Sequence, residues 1–287
     1  MPARWLITGG GGMVAADLRD ALLLQGEEVV TLSRAELDIT EQRSVQRAIA
    51  EHRPEVIVNC AAYTRVDDAE REEGLAIAIN GSAVELLAAS ANAAGALLVQ
   101  LSSDFVFDGR KRTPYEINDP TAPLSAYGRS KLLGEQAASG AEKHLVVRTS
   151  WLFGVHGHNF VEAIRNQIRK GTDPLRVVND QRGRPTYTPH LAQAVIRLAR
   201  LASDSPDARG VVHYADAGEA TWYDFARAIL EELGAATTVV PVTSAEFPRP
   251  ATRPAYSVLS TERYERLTGA PPDSWRDGLR QYLQLRG

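Results

Sequence analysis

Thr8-Gly-Gly-Gly-Gly-Met-Val-Ala15 is the stretch on which the fold turns. It follows a short apolar run, Arg4 to Thr8, that reads as a strand, and it opens a helix-period segment from Val14 to Gln25. Between a strand and a helix, a glycine-rich turn bends the chain sharply and lets the backbone approach a diphosphate held at the positive helix N-terminus. The spacing is Gly-x-x-Gly-x-x-Ala: Gly9 and Gly12 permit the turn, and Ala15 is small enough for close helix-sheet packing. A glycine cluster alone also describes an ordinary loop. Its position after the first strand favours the cofactor reading.

Working outward, short apolar runs alternate with longer helical segments, the pattern of a parallel sheet with crossover helices. Strands are predicted over Glu28 to Leu32, Val56 to Cys60, Leu97 to Ser102 and Leu145 to Thr149. Helices are predicted over Thr40 to His52, around Glu70, over Ser82 to Ala94 and over Ala126 to Ser139. Strands buried on both faces read as continuously apolar, as these do, so the fold class is α/β, a doubly wound, Rossmann-like parallel sheet. Beyond Ser150 the alternation weakens; helical segments at Asn159 to Arg169, Leu191 to Leu201 and Tyr223 to Leu233 lie between loops rich in Pro and Gly. The expected division is a dinucleotide-binding unit over residues 1–150 with part of 187–217, Gly210 to Ala215 returning a strand to the sheet. Residues 151–186 and 218–287 then form a smaller substrate lobe.

The composition fits such a protein. The 287 residues are 44% hydrophobic and carry a formal net charge of -4, with no basic block, which argues against a nucleic-acid or membrane-surface partner and for a small molecule. Cys60 is the only cysteine, so no intramolecular disulfide can form. The glycine cluster begins too early for a signal peptide to precede it, and no run approaches the ~18 consecutive apolar residues of a membrane span. A cytoplasmic protein is expected. None of the histidines, His156 and His158 included, has the spacing of a zinc site, and no metal is expected.

The end of the second strand selects the adenosine moiety: an acidic residue there binds a ribose 2'-hydroxyl, and an arginine accommodates a 2'-phosphate. Ser33 and Arg34 occupy the position, which points to NADPH, with NADH as the second option. The plain alternative is that Arg34 is a solvated loop cation.

Tyr127-Gly-Arg-Ser-Lys131 places a phenol and an ammonium one turn apart on one helix face. A tyrosine titrating near ~10 is a poor acid-base group at neutral pH, and a neighbouring cation stabilises its phenolate. Any Tyr-x-x-x-Lys also describes a surface helix pair. Ser103 adds weight because it ends an apolar strand, and in a doubly wound sheet the carboxyl ends of the strands line the ligand crevice. A hydroxyl there can donate to a carbonyl that gains charge; otherwise Ser103 and Asp104 are turn or cap residues.

With these motifs assembled, the chain resembles the dTDP-4-dehydrorhamnose reductases, extended short-chain dehydrogenases. The landmarks are the glycine turn, Asn59-Cys-Ala-Ala-Tyr-Thr64, Ser102-Ser-Asp-Phe-Val-Phe-Asp-Gly109, Tyr127-Gly-Arg-Ser-Lys131, Arg148-Thr-Ser-Trp151, Asp180-Gln-Arg-Gly-Arg-Pro-Thr186 and Arg253-Pro-Ala-Tyr-Ser257, spanning essentially the whole chain. The resemblance implies reduction by NAD(P)H of the C4 ketone of a dTDP-linked 6-deoxyhexulose, with Tyr127 as proton donor, Lys131 holding the nicotinamide ribose and Ser103 polarising the ketone. It implies that Gly12, Met13 and Val14 meet the cofactor diphosphate, that Asp38 and Ile39 lie near the adenine, and that Ala61, Ala62 and Tyr63 lie on the ribose side. Asp104, Phe105 and Trp151 fall at sugar-nucleotide contacts, the alternative for Trp151 being a buried core aromatic. The enzyme would work as a monomer or homodimer.

Three positions depart from the family pattern. Its usual Thr is Ser103, which keeps the hydroxyl; its usual Tyr is Phe105, which loses one; and its common Asn is Tyr256. A reductase making a different dTDP-deoxysugar, as for antibiotic glycosylation, is therefore the second reading. A non-catalytic cofactor-binding subunit would be expected to lack the hydroxyl, Tyr or Lys, and all three are present. A dehydratase would carry an acidic pair after the hydroxyl residue, unlike Ser-Ser-Asp-Phe.

Overall fold

The structure, a computed structural model, describes residues 2–286. Met1 and Gly287, the outer ends of the two expected units, lie outside the described residues. Five strands follow in chain order: β1 (Arg4–Thr8), β2 (Glu28–Leu32), β3 (Val56–Asn59), β4 (Leu97–Ser103) and β5 (His144–Thr149). With the Gly210–His213 strand they form a six-stranded sheet in the order Gly210–His213, β5, β4, β3, β1, β2, every neighbour parallel. The chain leaves β1 in one direction to β2 and returns to β1's other side at β3. That reversal is the switch point where α/β sheets bind ligands at their carboxyl ends.

Apolar side chains of alternate hand along each strand feed two cores. On one face Trp5, Ile7, Val58, Val99 and Val147 meet helix α1 (Met13–Leu24) and the Thr188–Asp204 helix. On the other, Leu6, Ile57, Leu98 and Val146 meet helix α2 (Gln42–His52) and the helical run Glu73–Ala94. That 22-residue run is long and apolar enough by composition to match a membrane span. Here Val84, Leu87, Ala88 and Ala91 are buried against the sheet, and its apolarity is that of a core helix.

Sequence reading placed separate helices around Glu70 and from Ser82. The structure has a single 3-10 turn at Asp68–Glu70, then helix from Glu73 onward, widened to π geometry over Ala78–Ser82. The Thr188–Asp204 helix starts before the expected Leu191, because Pro189 sits in its first turn, where a missing N–H costs nothing. A third core gathers Phe153, Val161, Leu175, Tyr187, Phe225, Ile229, Trp275, Leu279 and Tyr282. It draws on the Phe160–Arg169, Trp222–Leu233 and Trp275–Arg286 helices and on the parallel pair Leu175–Val178 and Val239–Val242.

Candidate functional site

The carboxyl ends of β1, β3 and β4 are tied together by polar side chains. Thr8 Oγ1 donates to Asn59 Oδ1 at 2.6 Å and accepts from the Ala61 N–H at 3.2 Å, while Asn59 Nδ2 donates to Gln100 Oε1 at 2.8 Å. Gly9 bends the chain away from β1 at φ +68°, and a Cβ there would lie 2.6 Å from Ala61 N, so only glycine fits. Gly10 N donates to Leu32 O at 2.9 Å, anchoring the turn to the end of β2, and a Cβ on Gly11 would meet open space. Gly12 caps α1 with no side-chain acceptor, and no acidic residue stands in the helix's first turn. Free N–H groups, an exposed glycine backbone and no competing carboxylate are what a dinucleotide diphosphate needs. The cradle fits the group.

Around it, Met13 heads α1 and Val14 is buried beneath the turn. Ser33 and Arg34 follow β2, but the Arg34 side chain is 80% exposed, its nearest anion being Asp38 at 3.9 Å. Asp38 Oδ1 accepts from the backbone and hydroxyl of Thr40, and the Ile39 side chain is buried in the core, leaving only its backbone for an adenine. Ala61 and Ala62 are half-buried beside Gly9. Tyr63 turns inward, its hydroxyl donating to Glu72 Oε2 at 2.7 Å.

Tyr127 and Lys131 rise from the Ala126–Ala138 helix. Ser125 caps it, accepting from Gly128 N at 3.1 Å, and Glu70 Oε1 accepts from Ala126 N at 2.8 Å. Inside this helix Gly128 lies against the Phe105 carbonyl and Gly134 against the Asn80 carbonyl, both too close for a side chain. Gly128 presses the helix onto the turn after β4, and Gly134 presses it onto the segment that carries Asn80. The Ser103 hydroxyl lies near enough to the Tyr127 phenol to favour its ionised form, and Phe105 meets the Tyr127 ring edge-on at 5.5 Å. Lys131, 4% exposed, donates from Nζ to Leu101 O of β4 at 2.7 Å. Ser103, Tyr127 and Lys131 therefore meet at one strand end.

Burial dominates the electrostatics. It pushes the Tyr127 phenol up to about 12, with the Ser103 hydroxyl pulling down and Asp104 pushing up. The sequence reading had Lys131 drawing the phenol down; in this structure the ammonium is committed to the Leu101 carbonyl and burial decides instead. Burial likewise holds Lys131 down at about 8, against Glu135, which favours its charge. Asp104 is raised to about 6 by burial; Ser103 Oγ donates to its Oδ1 at 3.0 Å, and its Oδ2 has no partner among the described residues.

Trp151 is half-buried rather than in a core, with its backbone in the left-handed region at φ +48°. Such a conformation is rare for a bulky residue and marks stored strain. Its indole stacks on Trp222 at 3.6 Å and 4°, and Gly183 packs against the ring. The RmlD substrate binding domain family matches residues 3–286 of this chain. A dTDP-4-dehydrorhamnose reductase of Streptomyces griseus is 42% identical, covering 96% of this chain and 91% of its own. The chain belongs to the dTDP-4-dehydrorhamnose reductase family.

Two other relatives bracket it. "Probable dTDP-4,6-dihydroxy-2-methyloxan-3-one 4-ketoreductase" of Streptomyces antibioticus is 46% identical over 97% of this chain and 94% of its own. The crystal structure of the Bacillus anthracis dTDP-4-dehydrorhamnose reductase in complex with NADP superposes with a TM-score of 0.94 at 34% identity, covering 99% of this chain and 100% of that one. Family membership gives meaning to residues that sequence reading passed over. Trp222 stacks on Trp151 and donates from Nε1 to Gln181 at 3.1 Å. Asn80, in the π-widened turn, bonds the Tyr63 backbone and donates to Ser130 Oγ at 2.9 Å, bracing the Tyr127 helix. Behind Lys131, Glu135 and Arg148 form a buried bidentate pair. No periodicity announces these partnerships; only the π geometry over Gly81, a frequent mark of function, has a local signal.

Proposed function

We propose that the chain reduces the C4 ketone of a dTDP-4-keto-6-deoxyhexose with NADPH, the substrate of first choice being dTDP-4-dehydrorhamnose and the product dTDP-L-rhamnose. The observation that carries this reading is the convergence of Ser103, Tyr127 and Lys131 at the end of β4, beside a glycine cradle shaped for a dinucleotide. Bound NADPH supplies the hydride. Ser103 donates a hydrogen bond to the ketone oxygen as it gains charge. Tyr127, held protonated by burial, gives that oxygen its proton. Lys131 holds the ribose and, as an ammonium, offsets the phenolate left behind. Gly9, Gly12, Met13 and Val14 hold the diphosphate; Ser33, Arg34, Asp38, Ile39, Ala61, Ala62 and Tyr63 line the adenosine and ribose path. Asp104, Phe105 and Trp151 face the sugar nucleotide.

Phe105 favours a second reading of the sugar. It touches the Tyr127 ring and offers no hydroxyl where the family has one, which suits a dTDP-deoxysugar other than dehydrorhamnose. We assign residues 1–150 with 187–217 to the dinucleotide unit and 151–186 with 218–287 to the substrate lobe, in a cytoplasmic monomer or homodimer. The test is purified protein with dTDP-4-dehydrorhamnose and NADPH or NADH, the C4 configuration of the product being determined. Absence of cofactor oxidation with every dTDP-4-keto-6-deoxyhexose refutes the reading. Tyr127→Phe is expected to cut turnover by about 100-fold or more while leaving dinucleotide affinity unchanged; retained turnover removes Tyr127 as donor.

A further inference from the structure

The end of β2 holds an arrangement that the choice between Ser33 and Arg34 does not capture. Ser33 donates twice to one carboxylate oxygen of Glu36, from its backbone N–H at 2.8 Å and from Oγ at 2.7 Å. Those two donors hold the Glu36 carboxyl below the usual carboxylate range, so it is an anion at neutral pH. A backbone N–H and a serine hydroxyl converging on one oxygen after the second strand form the kind of cradle that takes a phosphate oxygen. Glu36 fills it. Arg34, the cation expected to meet a 2'-phosphate, is turned toward Asp38 instead.

Resting on the dinucleotide reading above, we propose that Glu36 is the residue that sets the choice between phosphorylated and unphosphorylated adenine dinucleotides. Its carboxylate stands at the strand end where an acidic side chain accepts a hydrogen bond from a ribose 2'-hydroxyl. A 2'-phosphate arriving there must displace Glu36 from Ser33 and face its charge, with Arg34 as the only cation on the same turn. The Gly10 N–H donates to Leu32 O, which holds Ser33 and its two donors beside the glycine cradle. Glu36 thus limits the preference for a phosphorylated dinucleotide that Ser33 and Arg34 would otherwise set.

The experiment measures equilibrium binding of NADPH and NADH by nucleotide fluorescence, and of 2',5'-ADP and 5'-ADP by calorimetry, to wild type, Glu36→Gln and Glu36→Ala. Glu36 is exposed, and matching thermal unfolding midpoints verify that each variant is folded. Removing the anion is expected to raise the NADPH-to-NADH affinity ratio about tenfold, with 2',5'-ADP gaining in parallel and 5'-ADP not gaining. A ratio within about twofold of wild type in both variants, with both dinucleotides bound, overturns the role of Glu36 alone. A wild type that binds neither dinucleotide overturns the cofactor reading and this inference with it.

Discussion

Glu135 and Arg148 offer the sharpest energetic test of how the site is supported. Arg148 Nε and Nη2 donate to the two oxygens of Glu135 at 2.8 and 2.7 Å, and the side chains are only 5% and 6% exposed. Ser102 Oγ adds a third donor at 2.5 Å. Removing one member of a buried, hydrogen-bonded pair leaves an uncompensated charge, at a cost of about 3–5 kcal/mol. Arg148 would keep the Phe107 ring at 5.0 Å and an Nη1 contact to His213 at 3.2 Å, so the lower end applies to Glu135→Leu. For a chain of this size, a 3 kcal/mol loss corresponds to about 6–12 °C in Tm. The double variant Glu135→Leu/Arg148→Met is expected to lose less than Glu135→Leu alone, since an apolar pair carries no stranded charge. Scanning calorimetry of the wild type, both single variants and the double variant gives the coupling directly. The same substitution removes the anion that favours the charged form of Lys131, so the alkaline limb of the turnover profile should move to lower pH. Single variants that shift Tm by less than about 2 °C, or effects that simply add, would refute the reasoning.

Gly9→Ala forces a Cβ to within 2.6 Å of Ala61 N at φ +68°, a conformation costing about 1–2 kcal/mol before the clash is counted; fluorescence titration is expected to register NADPH affinity falling by more than about tenfold. His213 is held neutral, its imidazole pushed down to about 3 by burial and by Arg148, against 6.5 in the unfolded chain. Between those values unfolding binds an extra proton, so stability falls as pH falls, by about 1.4 kcal/mol per pH unit. Asp104, raised to about 6, acts in the opposite sense between about 4 and 6 in any variant that retains it. Urea unfolding of wild type against His213→Gln therefore isolates the imidazole; parallel stability curves from pH 6.5 to 4 would show that it does not titrate this way.

The sheet was legible because a parallel strand buried on both faces has no polar side to interrupt its apolar run. Trp5, Leu6 and Ile7 feed both cores within three residues, and the expected limits of β1 and β2 match the observed ones. The Trp275–Arg286 helix was not read. Its buried positions, Leu279 and Tyr282, answer to Tyr187, Phe225 and Phe153, which are distant in the chain. Likewise the Glu73–Ala94 run looked like two segments because Gly81 interrupts its propensity, whereas packing against the sheet and the Asn80 bonds carry the helix through.

At the site, local spacing revealed the groups that share an element and missed those that meet only through the fold. Tyr127 and Lys131 share a helix face, and Ser103 announces itself at a strand end. Glu36 was hidden because a carboxylate three residues after a serine is ordinary in sequence; what matters is that both donors of Ser33 converge on it. The behaviour of Lys131 was hidden for the same reason. A four-residue spacing suggests an ammonium lowering a phenol, but desolvation pushes the phenol up, and the ammonium bonds Leu101. A proton donor must carry its proton when the ketone arrives, which a phenol raised to about 12 does at neutral pH. The cation is needed only after transfer, when the phenolate would otherwise be stranded in a buried site. Lys131, held near 8, is then charged below that pH and loses its charge above it. Turnover in the reductive direction should thus decline above about pH 8 through Lys131, while Tyr127 remains a competent acid throughout.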